Sequence, residues 1–210
     1  NQSALKIFKF SADFRIKYNY PPKEMNDFSN YVNKCVTHYK GKMSIWEIIN
    51  EPLFTDILGQ RYGFTENNYL EMIRAAYRAI KNIDSNIMVI GGVAGHPVRH
   101  SEIYEKCIAA GLLDTVDYVN FHTYPGLLSP EDHEVSLEKF YNQMREYGKI
   151  KDIWITEGGY YALDDYLLMS TYFVPVKNEM TAAVYQIKLN TIHLAYGAKK
   201  YFFTQAKVGY

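Results

Sequence analysis

An excess of charge of either sign is missing from this sequence. Its 23 Lys and Arg residues balance 23 Asp and Glu, giving a formal net charge of zero at neutral pH. A nucleic-acid partner calls for a basic face and an anionic membrane for a basic patch, so the balance speaks against both. No apolar run approaches the roughly 18 residues of a membrane span. The first residues, NQSALKIF, lack the basic-then-apolar pattern of a secretory leader. Cysteine is scarce, with only Cys35 and Cys107. Both fall on apolar faces of expected helices, so free buried thiols are expected rather than a bridge. No Gly-rich phosphate fingerprint follows any expected strand, which removes the main motif of nucleotide-binding α/β proteins. None of these features fixes a compartment.

Aromatic residues are abundant instead: 20 Tyr and 11 Phe. A tyrosine ring offers a flat apolar face with a hydroxyl tip, which suits both core packing and the face of a sugar ring. With 210 residues and 48% hydrophobic content, the chain can fill a sizeable core. Residues 1–210 read as one domain.

Hydrophobic periods alternate along that domain. Strands are expected at residues 4–10, 43–49, 87–93, 117–122, 152–156 and 200–204. Helices are expected at 25–39, 66–82, 101–110, 137–147 and 181–196. Thr65 is a candidate cap for the second helix, and a glycine closes each of the others: Gly41, Gly111, Gly148 and Gly197. Six strands alternating with five helices imply parallel strands and right-handed crossovers. The fold class is therefore α/β, and the choice lies between a doubly wound sheet and a (β/α)₈ barrel. Six strands fall two units short of a barrel of about 250 residues, so a barrel here is an incomplete one.

In a parallel α/β domain the loops after the strands emerge on one face, where polar side chains collect. Asn50 and Glu51 follow the second expected strand (WEIINEP), His122 and Tyr124 the fourth (NFHTYPG), and Glu157 the fifth (IWITEGGYY). Thr204 and Gln205 follow the sixth. Two carboxylates thus end two different strands. Such a pair meets the needs of glycosidic bond cleavage, in which one protonates the leaving oxygen while the other, ionised, attacks or stabilises the anomeric carbon.

In this order, WEIINEP, HTYP and IWITEGGY resemble the clan A glycoside hydrolases, most of all families 39 and 5. The resemblance extends from a presumed third barrel strand to the eighth, over nearly the whole chain. It implies an incomplete TIM-type barrel and a retaining O-glycoside hydrolase acting on a β-linked carbohydrate, with no cofactor. By position it makes Glu51 the acid/base, Glu157 the nucleophile and Asn50 a partner of the sugar 2-hydroxyl. Tyr124 would donate to Glu157, and His122 would line the pocket; Tyr160 and Gln205 join these as substrate-binding candidates. The chain departs from the pattern at YFFTQA, where the clan often places a tryptophan.

Other residues carry blander expectations. Glu47 shares strand parity with Glu51 but lies mid-strand, where a structural ion pair is expected. His96 and His100 have i, i+4 spacing, yet Pro97 between them interrupts a helix, so they read as surface residues and no metal site is expected. Residues 160–179 exceed ordinary loop length and suit a lid or subsite wall, with Tyr160 and Tyr161 as stacking platforms. Residues 54–64, with Arg61 and Tyr62, form a second candidate wall. A non-catalytic alternative is a truncated barrel that binds carbohydrate or pairs with another chain, because unpaired edge strands favour self-association.

Overall fold

The structure is a computed structural model describing residues 21–52, 65–97, 100–162 and 176–204. The first expected strand, Gln205, Arg61 and Tyr62 lie outside the described residues.

Strands and helices alternate as the periods require: α1 Met25–Tyr39, β1 Ile45–Glu47, α2 Glu66–Ile83, β2 Met88–Ala94, α3 Ser101–Ala109, β3 Tyr118–Thr123, α4 Glu134–Glu146, β4 Asp152–Gly158, α5 Glu179–Ala195 and β5 Lys200–Phe203. All neighbouring strands pair in parallel. Their spatial order is β1-β2-β3-β4-β5, the order of the chain itself. A doubly wound sheet reverses direction at a switch point, and among the described residues this sheet does not. It is an open, curled, barrel-like sheet with flanking helices. Among the described residues it has five strands, not the six expected.

Local chemistry sets the element ends. Thr65 caps α2 reciprocally: its Oγ1 accepts the Asn68 N–H, and Asn68 Oδ1 accepts the Thr65 N–H. Asn178 caps α5 by accepting the Thr181 N–H at 2.8 Å. Gly148 and Gly197, closing α4 and α5, take left-handed φ values of 71° and 97°.

Alternation divides each strand between two environments. Val89, Val119, Phe121, Ile153 and Ile155 face the helices and pack with Leu70, Ile73, Tyr104, Leu137 and Phe140 in the main core. The other face carries Tyr118, Asn120 and His122 on β3 and Trp154 and Thr156 on β4. The Trp154 ring lies 4.9 Å from Tyr118 and 5.9 Å from Phe202, with Lys200 Nζ 5.2 Å above it. Next along the strands come Asn120 and Thr156, and then His122 at the carboxyl ends.

Gly92 lets β2 and β3 approach at this level. A Cβ there would sit 2.2 Å from the Asn120 carbonyl oxygen and 2.9 Å from its Oδ1. The ladder shifts register between Gly91 and Ala94, and buried tyrosines take up carbonyls around the shift. Tyr69 Oη donates to Gly92 O at 2.8 Å, and Tyr104 Oη to the carbonyls of Gly95 and Asn120 at 3.0 Å. Gly92→Ala is expected to destabilise the fold by about 1–3 kcal/mol, the cost of overpacking. The urea midpoint of the variant measures it.

Two expectations about the periphery change. Cys107 is buried and free, and burial pushes its thiol up to about 12, but Cys35 is only half-buried on α1. His96 is not a surface residue. Its Nε2 meets His133 Nδ1 at 3.0 Å, and its ring stands edge-on to Phe121 at 5.8 Å. Pro97 lies in a turn between β2 and α3 rather than within a helix.

Candidate active site

β1 stops early. Its last ladder bond runs from the Ile48 N–H to the Ile90 carbonyl at 3.1 Å, and the chain then turns through two left-handed residues. Ile49 has φ 64° and Glu51 φ 44°. A β-branched side chain at positive φ is strained, and such strain collects at sites where the backbone is held for its side chains. Asn50 lies exposed between the two, and Glu51 is carried back over the sheet.

Glu157 reaches the same place by a different device. Counting by twos from Ile153 and Ile155 would turn it toward the helices. The pairing instead slips: Phe121 lies opposite Ile155, and the next pair is His122 opposite Glu157. One extra residue in β4, a bulge, re-aims Glu157 onto the face of His122. Thr204 pins the bulged end, its Oγ1 accepting the Gly158 N–H at 3.2 Å and its own N–H bonding Gly158 O at 3.0 Å.

The two devices bring Glu51, His122 and Glu157 together, and one donor atom from each lies within 4.8 Å of the others. His122 is the hub, its side chain 2% exposed. Its Nδ1 is 2.7 Å from Glu51 Oε1 and 3.5 Å from Glu157 Oε2. Tyr124 Oη donates to Glu157 Oε2 at 2.7 Å. Burial, and then that hydrogen bond to Glu157, push the Tyr124 hydroxyl above its ordinary range, so it stays a donor. Tyr161 stacks on Tyr124, ring centres 5.8 Å apart and planes 18° from parallel.

Glu47 stands on the other side of the His122 ring, 3.9 Å from Nε2. No lysine or arginine pairs with it among the described residues. Its Oε1 accepts from Asn120 Nδ2 at 2.5 Å and from Thr156 Oγ1 at 3.1 Å. Burial raises its carboxyl above the usual range, and His122 and the Thr156 bond pull the other way. The expected structural ion pair is thus a hydrogen-bonded carboxylate one residue layer beneath the trio. Strand parity with Glu51 was the signal for it.

Tyr160 does not join the cluster. It is buried against α5, its Oη donating to Leu128 O at 2.9 Å and its ring edge-on to Tyr185 at 5.2 Å. The trio is the one grouping of His, Cys, Asp or Glu with metal-ligand spacing among the described residues. The ring nitrogen facing both carboxylates is hydrogen-bonded to Glu51.

Residues 12–90, less than half of the chain, match the profile of glycosyl hydrolase family 10. No curated protein matches the sequence significantly. Solved structures match the fold over most of the chain. A glucosidase from Croceicoccus marinus aligns with TM-score 0.71 and 18% identity over 89% of this chain and 39% of its own. A monomeric β-xylosidase from Caulobacter crescentus aligns with TM-score 0.62 and 19% identity over 87% of this chain and 39% of its own. For a Bacteroides uniformis β-glucuronidase the values are 0.61 and 14%, over 87% and 22%. The chain therefore spans well under half the length of these structures, and at such identities it shares their fold.

Proposed function

We propose that this chain, read as one domain over residues 1–210, is a portion of a retaining β-glycoside hydrolase of clan A. Its sequence motifs resemble families 39 and 5, while the profile match over residues 12–90 is to family 10, so the proposal is made for the clan. The reading rests above all on one observation: carboxylate oxygens of Glu51 and Glu157 lie within 4.8 Å of one another, at the ends of different strands. Retention through a covalent intermediate works with carboxyl groups about 5–5.5 Å apart, because both must reach one anomeric carbon. Inversion needs a wider gap that admits water.

In the proposed mechanism Glu157 attacks the anomeric carbon, its free oxygen held by Tyr124. Glu51 gives its proton to the departing glycosidic oxygen. Glu51 then takes a proton from water, which displaces the sugar from Glu157. His122 holds Glu51 in place, and Asn50 bonds the sugar 2-hydroxyl. Tyr161, stacked on Tyr124, offers a platform for the sugar face, and Gln205 is a further candidate for a sugar hydroxyl. The matched structures carry the names of a glucosidase and a β-xylosidase, which makes β-glucosides and β-xylosides the first substrates to test.

The test is covalent trapping. A 2-deoxy-2-fluoro glycosyl fluoride slows both steps but leaves well, so the sugar accumulates on the nucleophile. Mass spectrometry of the full natural protein is expected to find one sugar per chain, on Glu157. An adduct elsewhere would reassign the nucleophile. A protein that binds these sugars without adduct or hydrolysis would favour a carbohydrate-binding barrel.

A further inference from the structure

The network under the trio contains a third carboxylate to which the mechanism above gives no part. Glu47 is fastened at one oxygen by Asn120 and Thr156, which lie on two different strands. Asn120 Nδ2 bonds Thr156 Oγ1 as well, at 2.7 Å, closing a three-membered ring of hydrogen bonds. The ring holds a negative group 3.9 Å from His122 Nε2. That nitrogen is buried and has no hydrogen-bond partner among the described residues. The opposite edge of the imidazole, Nδ1, meets Glu51 and Glu157. His122 is therefore a bridge with one carboxylate at one edge and two at the other.

We propose that Glu47 is a positioning residue acting through His122: its charge draws the ring proton to Nε2, so that Nδ1 and Glu51 share a single proton along their 2.7 Å line. An imidazole with its proton at Nε2 presents a lone pair at Nδ1. The short contact to Glu51 then requires a proton between the two atoms, and that is the proton a general acid must hold ready. If the ring proton moved to Nδ1, Glu51 would accept it as an ionised carboxylate and have none to give. The logic is that of a carboxylate fixing the tautomer of a catalytic histidine, with the roles redistributed.

The ionisable groups around the ring are Glu47 on β1, Glu51 after it, Tyr124 after β3 and Glu157 on β4. Tyr69 of α2 feels Glu47 from the helix side. Both tyrosines are held neutral, chiefly by burial. Glu47 is thus the negative charge nearest the Nε2 edge that has no part in bond breaking.

The inference rests on the glycosidase reading for its consequence and not for its geometry, and the test separates the two. Glu47→Gln keeps an amide oxygen for Asn120 and Thr156 and removes the charge. In the variant, kcat/KM is expected to fall roughly tenfold at neutral pH with KM within about twofold. The alkaline limb of its pH profile is expected to move about one unit to lower pH, because a nearby negative charge no longer holds the shared proton. The ¹⁵N spectrum of the His122 ring supplies the readout that needs no substrate: Nε2 protonated in the natural protein and less so in the variant. Thr156→Val, which removes one fastening, is expected to shift the same signals in the same direction and by less, and it serves if Glu47→Gln does not fold. Unchanged ring signals, or activity lost equally at every pH, would overturn the proposal. A natural protein that hydrolyses nothing but shows the expected ring signals would sink the glycosidase reading and leave the role of Glu47 standing.

Discussion

Glu157→Ala is expected to lower kcat by a factor on the order of 10⁴ or more, on every glycoside and at every pH. The size follows from the part Glu157 plays in the proposed reaction. Without its carboxylate no glycosyl-enzyme forms, and what survives is the contribution of binding and of the remaining polar groups. Glu51→Ala is expected to behave differently on two substrates. General acid catalysis contributes about 10²–10⁴, and that loss falls on substrates whose leaving oxygen needs a proton. Dinitrophenolate leaves as a stable anion without a proton, so the first step on its glycoside is spared while the second, which needs Glu51 as base, is slowed. The variant should release a burst of phenol equal to the enzyme present, then turn over slowly with a lowered KM. Equal losses on alkyl and dinitrophenyl glycosides would remove Glu51 from the acid role. A thermal melt of each variant separates these outcomes from unfolding.

The spacing that makes this prediction possible was only half legible in the sequence. Helical stripes, the Thr65 cap and the closing glycines placed α1 and α2 almost to the residue. α4 begins three residues before the first expected position, because Ser129 and Asp132 cap a short 3₁₀ turn, Pro130–His133, that feeds directly into it. In the sequence the first strong apolar residue, Leu137, marks the start instead. At the site the sequence marks the strand ends, and strand ends suffice to gather Glu51, His122, Tyr124 and Glu157. It could not give the two backbone devices that aim them. Nothing in IWITEGG announces that the register slips before Glu157, and parity alone would have turned that side chain into the helices. Nothing in EIINEP announces left-handed Ile49, whose strain is sustained only by the packing around it. Tertiary contacts decide both, as they decide that Tyr160 packs on α5 while Tyr161 stacks on Tyr124.

The same limit hid a cluster of histidines behind the sheet, and acid instability is its expected consequence. His96 follows β2, His133 precedes α4 and His193 lies on α5, yet their rings meet around Phe121. His96 and His133 are 4.8 Å apart, His133 and His193 5.7 Å, and His193 stands edge-on to Phe121 at 6.0 Å. His193 is fully buried, stacked on Tyr201 at 5.5 Å, and neither of its ring nitrogens finds a hydrogen-bond partner among the described residues. Burial, and then the charge of His133, lower its pKa to about 3. An unfolded histidine takes up its proton near pH 6.5, so between that value and 3 the unfolded chain binds a proton that the folded chain refuses. Stability falls as the pH drops through this window, by roughly 1 kcal/mol for each pH unit. Glu47 works in the opposite sense: its pKa is raised by burial, so the folded chain takes up that proton first and gains stability as the pH falls. His193→Phe keeps an aromatic ring against Phe121 and Tyr201 and removes the titration. Urea midpoints of the variant and the natural protein should lie close together at pH 7 and separate steadily toward pH 4.5, with the variant the more stable. Parallel curves would mean that the ring of His193 accepts its proton in the folded state, which a side chain sealed beneath α5 with no acceptor at hand is not built to do.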